Sequence, residues 1–175
     1  MIPDLQRVLE PGYLAGLAES ATDDLRHMRS ECTDLENGVS YVRRLAQGRL
    51  DVIVAETERR AEGGGGDLAD LVARLPELLS DGVRAPGSGR VDQELDPPDA
   101  VVEPLSAVLD GVVGPSIMTE VADLGDDELS AAIIALRNFE ERLSTSRRSL
   151  HDTIDSLNDE LARRIAGGEA STTPS

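Results

Sequence analysis

From Leu25 onward, apolar or small residues recur three and four apart: Leu25, Met28, Cys32, Leu35, Val39, Val42 and Ala46, resuming at Ile53 after Arg49. A sustained 3–4 spacing is the seam of a coiled coil, and it predicts a helix over residues 22–62. Thr22 or Asp23 can cap its start, and the glycines from Gly63 to Gly66 end it. A second seam runs Leu129, Ala132, Leu136, Phe139, Leu143, Ser146, Leu150, Ile154, Leu157 and Leu161, opened by Asp126 and closed by Gly167 and Gly168. It predicts a helix over 126–166. Each helix would be about 60 Å long at 1.5 Å per residue, and neither can bury its seam alone.

Residues 1–21 read as a leader or short helix, and residues 63–125 as a connection. Within the connection, DLADLVARLPELLSDG suggests a short helix broken near Pro76, while APGSGR and DPPDA have turn chemistry. AVVEPLSAVLDGVVGPSIM has short-helix character, and residues 167–175 read as a disordered tail. The expected fold is therefore all-α: a long antiparallel two-helix coiled-coil hairpin with short accessory helices in the connection.

Composition agrees with this frame. In 175 residues, 39% are apolar but only 2% aromatic, which suits seams of aliphatic and small side chains better than a sandwich or an α/β enzyme. The formal charge of −17 argues against direct DNA binding and against an anionic membrane surface, and it favours a basic protein partner. The single cysteine, Cys32, excludes an intrachain disulfide and a cysteine-rich zinc site. The N-terminal stretch has neither a basic start nor an uninterrupted apolar run, so a cytoplasmic protein is expected. No phosphate-binding loop, nucleophile motif or metal spacing points to an enzyme.

One stripe of the first helix is unusual. ENGVSYVRRLAQGRLD sets Glu36, Ser40, Arg43, Gln47 and Asp51 in the order ExxxSxxRxxxQxxxD. These five fall within an arc of about 80° beside the seam. FEERLSTSRRSLHDTID aligns on LENGVSYVRRLAQGRLD without gaps at an offset of 104 residues, so Glu140, Ser144, Arg147, His151 and Asp155 repeat the stripe, with His151 in place of Gln47. In an antiparallel pair the two stripes would share one face and form a composite site. Setting Arg43 opposite Arg147 would then make Arg60 meet Ser130 and Leu25 meet Ile165. Charged stripes beside a seam usually form surface ion pairs. The gapless duplication, and Ser, Gln and His where Glu or Arg would serve, favour ligand binding instead.

Arginine presents a fork suited to the O6 and N7 atoms of guanine, and carboxylates accept from the N1–H and N2–H₂ donors of the same base. Ser, Gln and His can bond phosphate or ribose. A small guanine nucleotide is therefore the ligand class that fits.

These residues, with the flanking GYLAGLAES, DDLRHMRSEC and SYVRRLAQGRLDVIVAE, resemble the signature of the RsiG anti-sigma factors of actinobacteria. The resemblance covers the two long helices. It implies a cyclic di-GMP-responsive anti-sigma factor that holds a dimer of the nucleotide and sequesters a flagellar-type, WhiG-like sigma factor, repressing sporulation genes. It assigns Glu36, Ser40, Arg43, Gln47 and Asp51 to one half-site, and Glu140, Ser144, Arg147, His151 and Asp155 to the other, with no catalytic or metal-binding role. The rival class is a ligand-independent coiled-coil scaffold or an RNA-polymerase-binding hairpin.

A second apolar stripe, Tyr41, Leu45, Gly48, Val52 and Ala55, lies on the back of the first helix and has no counterpart on the second. Its cover would come from residues 61–125 or from a partner. Gly38 and Gly48 each cost about 1 kcal/mol against Ala inside a helix, which hints at close approach there.

Overall fold

The computed structural model describes residues 2–63 and 97–168, and among these every regular element is a helix. The short helix expected in residues 67–82, the turns around 85–90 and the tail beyond 168 lie outside the described residues. A short α1 (Pro3–Val8) leads through turns to α2 (Thr22–Ala61); α3 (Asp99–Val112) and α4 (Pro115–Thr119) precede α5 (Asp126–Ala166). The AVVEPLSAVLDGVVGPSIM stretch thus forms α3 and α4. An all-α pair of long helices joined through short ones is the fold.

The ends of the long helices follow local rules. Asp126, Asp127 and Glu128 place negative charge at the first turn of α5, and the Glu128 carboxylate accepts a hydrogen bond from the Gly125 N–H at 2.8 Å. Arg59 and Arg60 end α2, and Arg163 and Arg164 end α5, opposite in sign to the carbonyl pole they meet. Gly63 and Gly168 then adopt φ of 95° and 78°, and a backbone N–H from each returns to the last helical turn. Left-handed glycines after basic last turns stop both helices.

The chain divides into two compact units, each using half of each long helix. The first unit contains α1, the leader, α2 as far as Tyr41, the start of α3 and α5 from Leu143. Its core includes Leu5, Val8, Leu25, Cys32, Leu35, Val39, Leu105, Leu150 and Leu157. The second contains α2 from Val42, the rest of α3, α4 and α5 as far as Arg142, around Val42, Ala46, Ile53, Leu109, Val113, Leu129, Leu136 and Phe139. In both units α2 and α5 run antiparallel, as their paired contacts require: Arg147 meets Glu36 and Arg164 meets Thr22 in the first, and Arg43 meets Glu140 and Arg60 meets Asp126 in the second.

Two expectations about packing need correction. Arg60 meets Asp126 rather than Ser130, and Ile165, expected to face the buried Leu25, is 64% exposed. The ion pairs lie four to seven residues, one to two helical turns, from the expected register. The expected register would have paired Arg43 with Arg147, whereas each of these guanidinium groups instead reaches a carboxylate of the other motif. Ile154, expected on the seam, is only half-buried, while Thr153 is buried in its place. Strict 3–4 alternation reaches 153 after Leu150; two successive steps of four rotate a residue off the seam. The buried Thr153 hydroxyl is satisfied by donating to the Ser149 carbonyl at 2.9 Å.

Gly38 shows the close approach its sequence position suggests. A Cβ there would lie 2.4 Å from Val101 Cγ1, so the opening turn of α3 rests directly on the α2 backbone. In the second unit Arg49 donates to the Val113 carbonyl and to Asp110 on α3. The connection thus supplies cover for α2, yet Tyr41 and Leu45 remain 38% and 37% exposed.

A candidate guanine-nucleotide site built from two repeats

Six stripe residues belong to the first unit. Glu36 is their hub, because one carboxylate oxygen accepts from Ser40 Oγ at 2.8 Å and from Arg147 Nε at 2.9 Å, with His151 Nε2 at 3.3 Å. Ser40 is one helical turn along from Glu36, so that contact is local; Arg147 and His151 come from the opposing helix. Glu36 is mostly buried, whereas Arg147 and His151 are nearly half exposed, and Arg147 has Nη donors beyond its Nε contact. Ser144 is half-buried and Asp155 exposed.

The remaining four stripe residues belong to the second unit. Arg43 Nη1 donates to Glu140 Oε1 at 3.0 Å. Its Nε is buried and, among the described residues, has no acceptor. A buried donor without a partner costs free energy. Asp51 is half-buried, and burial pushes its carboxyl above the usual carboxylate range. A desolvated carboxylate of this kind gains from donors. Gln47 is exposed.

The two clusters share one construction: an Arg from one motif is held by the Glu of the other, and each cluster therefore draws on both repeats. What they offer is guanidinium forks, carboxylate acceptors and small hydroxyl or amide groups. That set can read a purine edge and bond ribose or phosphate oxygens, and it lacks an arranged nucleophile and base. Among the described residues no group of three or more His, Cys, Asp and Glu is placed to hold a metal ion, and no helix is long and apolar enough to cross a membrane.

The repeat extends beyond the motif to the ends of both long helices. At the end of α2, Glu56 accepts from Arg59 Nε at 2.7 Å and Arg60 Nε at 2.7 Å; Arg60 then reaches Asp126 Oδ1 at 2.8 Å and the Ala122 carbonyl at 3.0 Å. At the end of α5, Glu160 accepts from Arg163 Nε at 2.8 Å and Arg164 Nε at 2.8 Å, and Arg164 reaches Thr22 Oγ1 at 3.2 Å and the Ala18 carbonyl at 3.3 Å. Glu160, Arg163, Arg164, Thr22 and Ala18 each stand 104 positions from Glu56, Arg59, Arg60, Asp126 and Ala122, the motif's own offset, and Arg164 adds the carbonyls of Leu17 and Ser20, which among the described residues have no counterpart in the first clamp. Each clamp ties the end of one long helix to the segment that opens the other. Extending the alignment past Asp51 and Asp155 would have found them, since Glu-x-x-Arg-Arg stands at both helix ends.

The comparison with known families follows the same division. The model of the RsiG-like family matches residues 11–79 and 115–174, so the two matched stretches also begin 104 residues apart. No curated protein matches the chain. With most of its length matched, its two long helices antiparallel, and both copies of the motif in crossed Arg–Glu clusters, this chain belongs to the RsiG-like family, whose characterised members are cyclic di-GMP-responsive anti-sigma factors that bind WhiG-type sigma factors.

Proposed function

We propose that this chain takes cyclic di-GMP on its two polar clusters and, when loaded, sequesters a WhiG-like sigma factor. The observation that supports this most directly is the crossed pairing, because Arg43 and Arg147 are each oriented by a carboxylate while keeping donors uncommitted. In this reading Arg43 and Arg147 donate to the guanine O6 and N7 edge, and Asp51 and Asp155 accept from the N1–H and N2–H₂ edge. Ser40, Ser144, Gln47 and His151 bond phosphate or ribose, while Glu36 and Glu140 position the two arginines. Two clusters of like chemistry suit a two-fold symmetric dinucleotide or a dimer of it.

The bound nucleotide supplies purine surface and phosphate charge that the protein alone lacks. A chain of charge −17 attracts a basic partner diffusely, and such attraction fades with salt. Specific capture then depends on the ligand. Reciprocity is required: whatever factor cyclic di-GMP adds to sigma-factor affinity, the sigma factor adds to cyclic di-GMP affinity.

Calorimetry with cyclic di-GMP tests the binding step. Arg43→Ala and Arg147→Ala should each lose about 1–3 kcal/mol of binding, while Arg163→Ala, at an exposed position outside the motif, should be nearly neutral. Equal, negligible losses at all three positions would reject the motif clusters as the site. Titration of a WhiG-like sigma factor with and without nucleotide tests the gating step, and equal affinity in both titrations would reject it.

A further inference from the structure

Away from the motif clusters, the first unit has an open groove of about 610 Å³ bounded by α1, the start of α2 and the residues that open α3. Met28, Pro98, Ala100 and Val101 contribute apolar lining, and Asp4, Asp24 and Asp34 stand along it with His27 and with Glu31, which Arg7 pairs. Among the described residues none of the three aspartates has an ion-pair partner. Like charges gathered beside an apolar surface repel one another, which disfavours the free protein.

The second unit shows that the fold does not demand this chemistry. It is assembled the same way, with Leu109 buried where the first unit buries Leu5 and the same arginine clamp at its base. At the 104-residue offset Val108 and Asn138 stand in place of Asp4 and Asp34, while Glu128 keeps the acid of Asp24 in the first turn of its helix. Packing alone is therefore met without the acids of Asp4 and Asp34.

A protein that reads promoter DNA carries Arg and Lys surface to neutralise phosphates. Apolar lining beside unpaired carboxylates is complementary to a helix whose apolar face is flanked by such residues. A second copy of this chain, itself at −17, is a poor occupant by charge. We propose that the groove is a docking surface for an amphipathic, Arg- or Lys-bearing segment of the sigma factor, contacted by the protein itself rather than through the nucleotide. This inference rests on the anti-sigma reading above.

The test uses the full chain and a WhiG-type sigma factor at saturating cyclic di-GMP and near-physiological salt. The Asp4→Arg/Asp34→Arg double variant should weaken sigma-factor binding by about tenfold or more and flatten its salt dependence. Cyclic di-GMP affinity should be unchanged, because neither residue belongs to the motif clusters. The isosteric Asp4→Asn/Asp34→Asn pair should fall between the two, and it decides the matter if the arginine pair fails to fold. Sigma-factor affinity within about twofold of the parent in a folded variant would overturn the groove while leaving the nucleotide reading intact. Failure of the parent chain to bind the sigma factor would remove the anti-sigma reading and the groove with it.

Discussion

Glu56 is only 1% exposed, yet it carries a charge held by two arginines. Hydrogen bonding from Arg59, then from Arg60, outweighs the cost of burial and depresses its pKa from 4.5 to about 2; Arg163 and Arg164 do the same for Glu160, also to about 2. Because both folded-state values lie below the unfolded ones, the unfolded chain binds more protons between them. The stabilisation is complete above about pH 4.5 and is lost as pH falls toward 2. The melting temperature should therefore drop steeply across that window, and Glu56→Gln should reduce the slope while lowering stability at neutral pH. Arg164, 6% exposed, fixes the carbonyls of Leu17, Ala18 and Ser20. Arg164→Ala would take a charged donor from these carbonyls and from Glu160 and cost about 3 kcal/mol in denaturant unfolding, and Arg164→Lys should recover little, because an ammonium cannot fork among several acceptors.

For the individual helices, the seams were legible because a 3–4 alternation has one geometric reading. The strict alternation on α2 runs on from Ile53 to Glu56, so a carboxylate occupies a seam position that hydrophobicity alone passes over. Gly38 was legible as an anomaly, but its partner Val101, sixty-three positions away, was not. Gly38→Ala gains helix propensity of about 1 kcal/mol and meets a stiff β-branched side chain at 2.4 Å. The clash should win, lowering the melting temperature. Val101→Ala should be less harmful in the Gly38→Ala background than alone, and additivity of the two changes in a double-mutant cycle would refute the contact as its cause.

Across the whole molecule, neither repeat folds a unit from its own residues: the first unit needs α5 from Leu143 onward, and the second needs α2 from Val42 onward. Long helices with one apolar seam are marginal in isolation. Fragments 1–63 and 97–175 should each show weak helical circular dichroism alone and gain strongly on mixing. Helicity in either fragment equal to that of the mixture would contradict the mutual dependence of α2 and α5.

What the sequence determined by itself was everything carried by periodicity and by repetition at a fixed offset: two long helices, their approximate ends, and two copies of one polar stripe. Those features depend on spacing along one helix, where 3.6 residues per turn converts sequence directly into direction. Register between helices does not. It depends on which long side chains meet across the seam, and here the tertiary structure set Arg43 on Glu140 and Arg147 on Glu36 instead of one arginine against the other. Opposite charges 97 and 111 positions apart in the chain meet in that register, and only the folded pair brings them within reach.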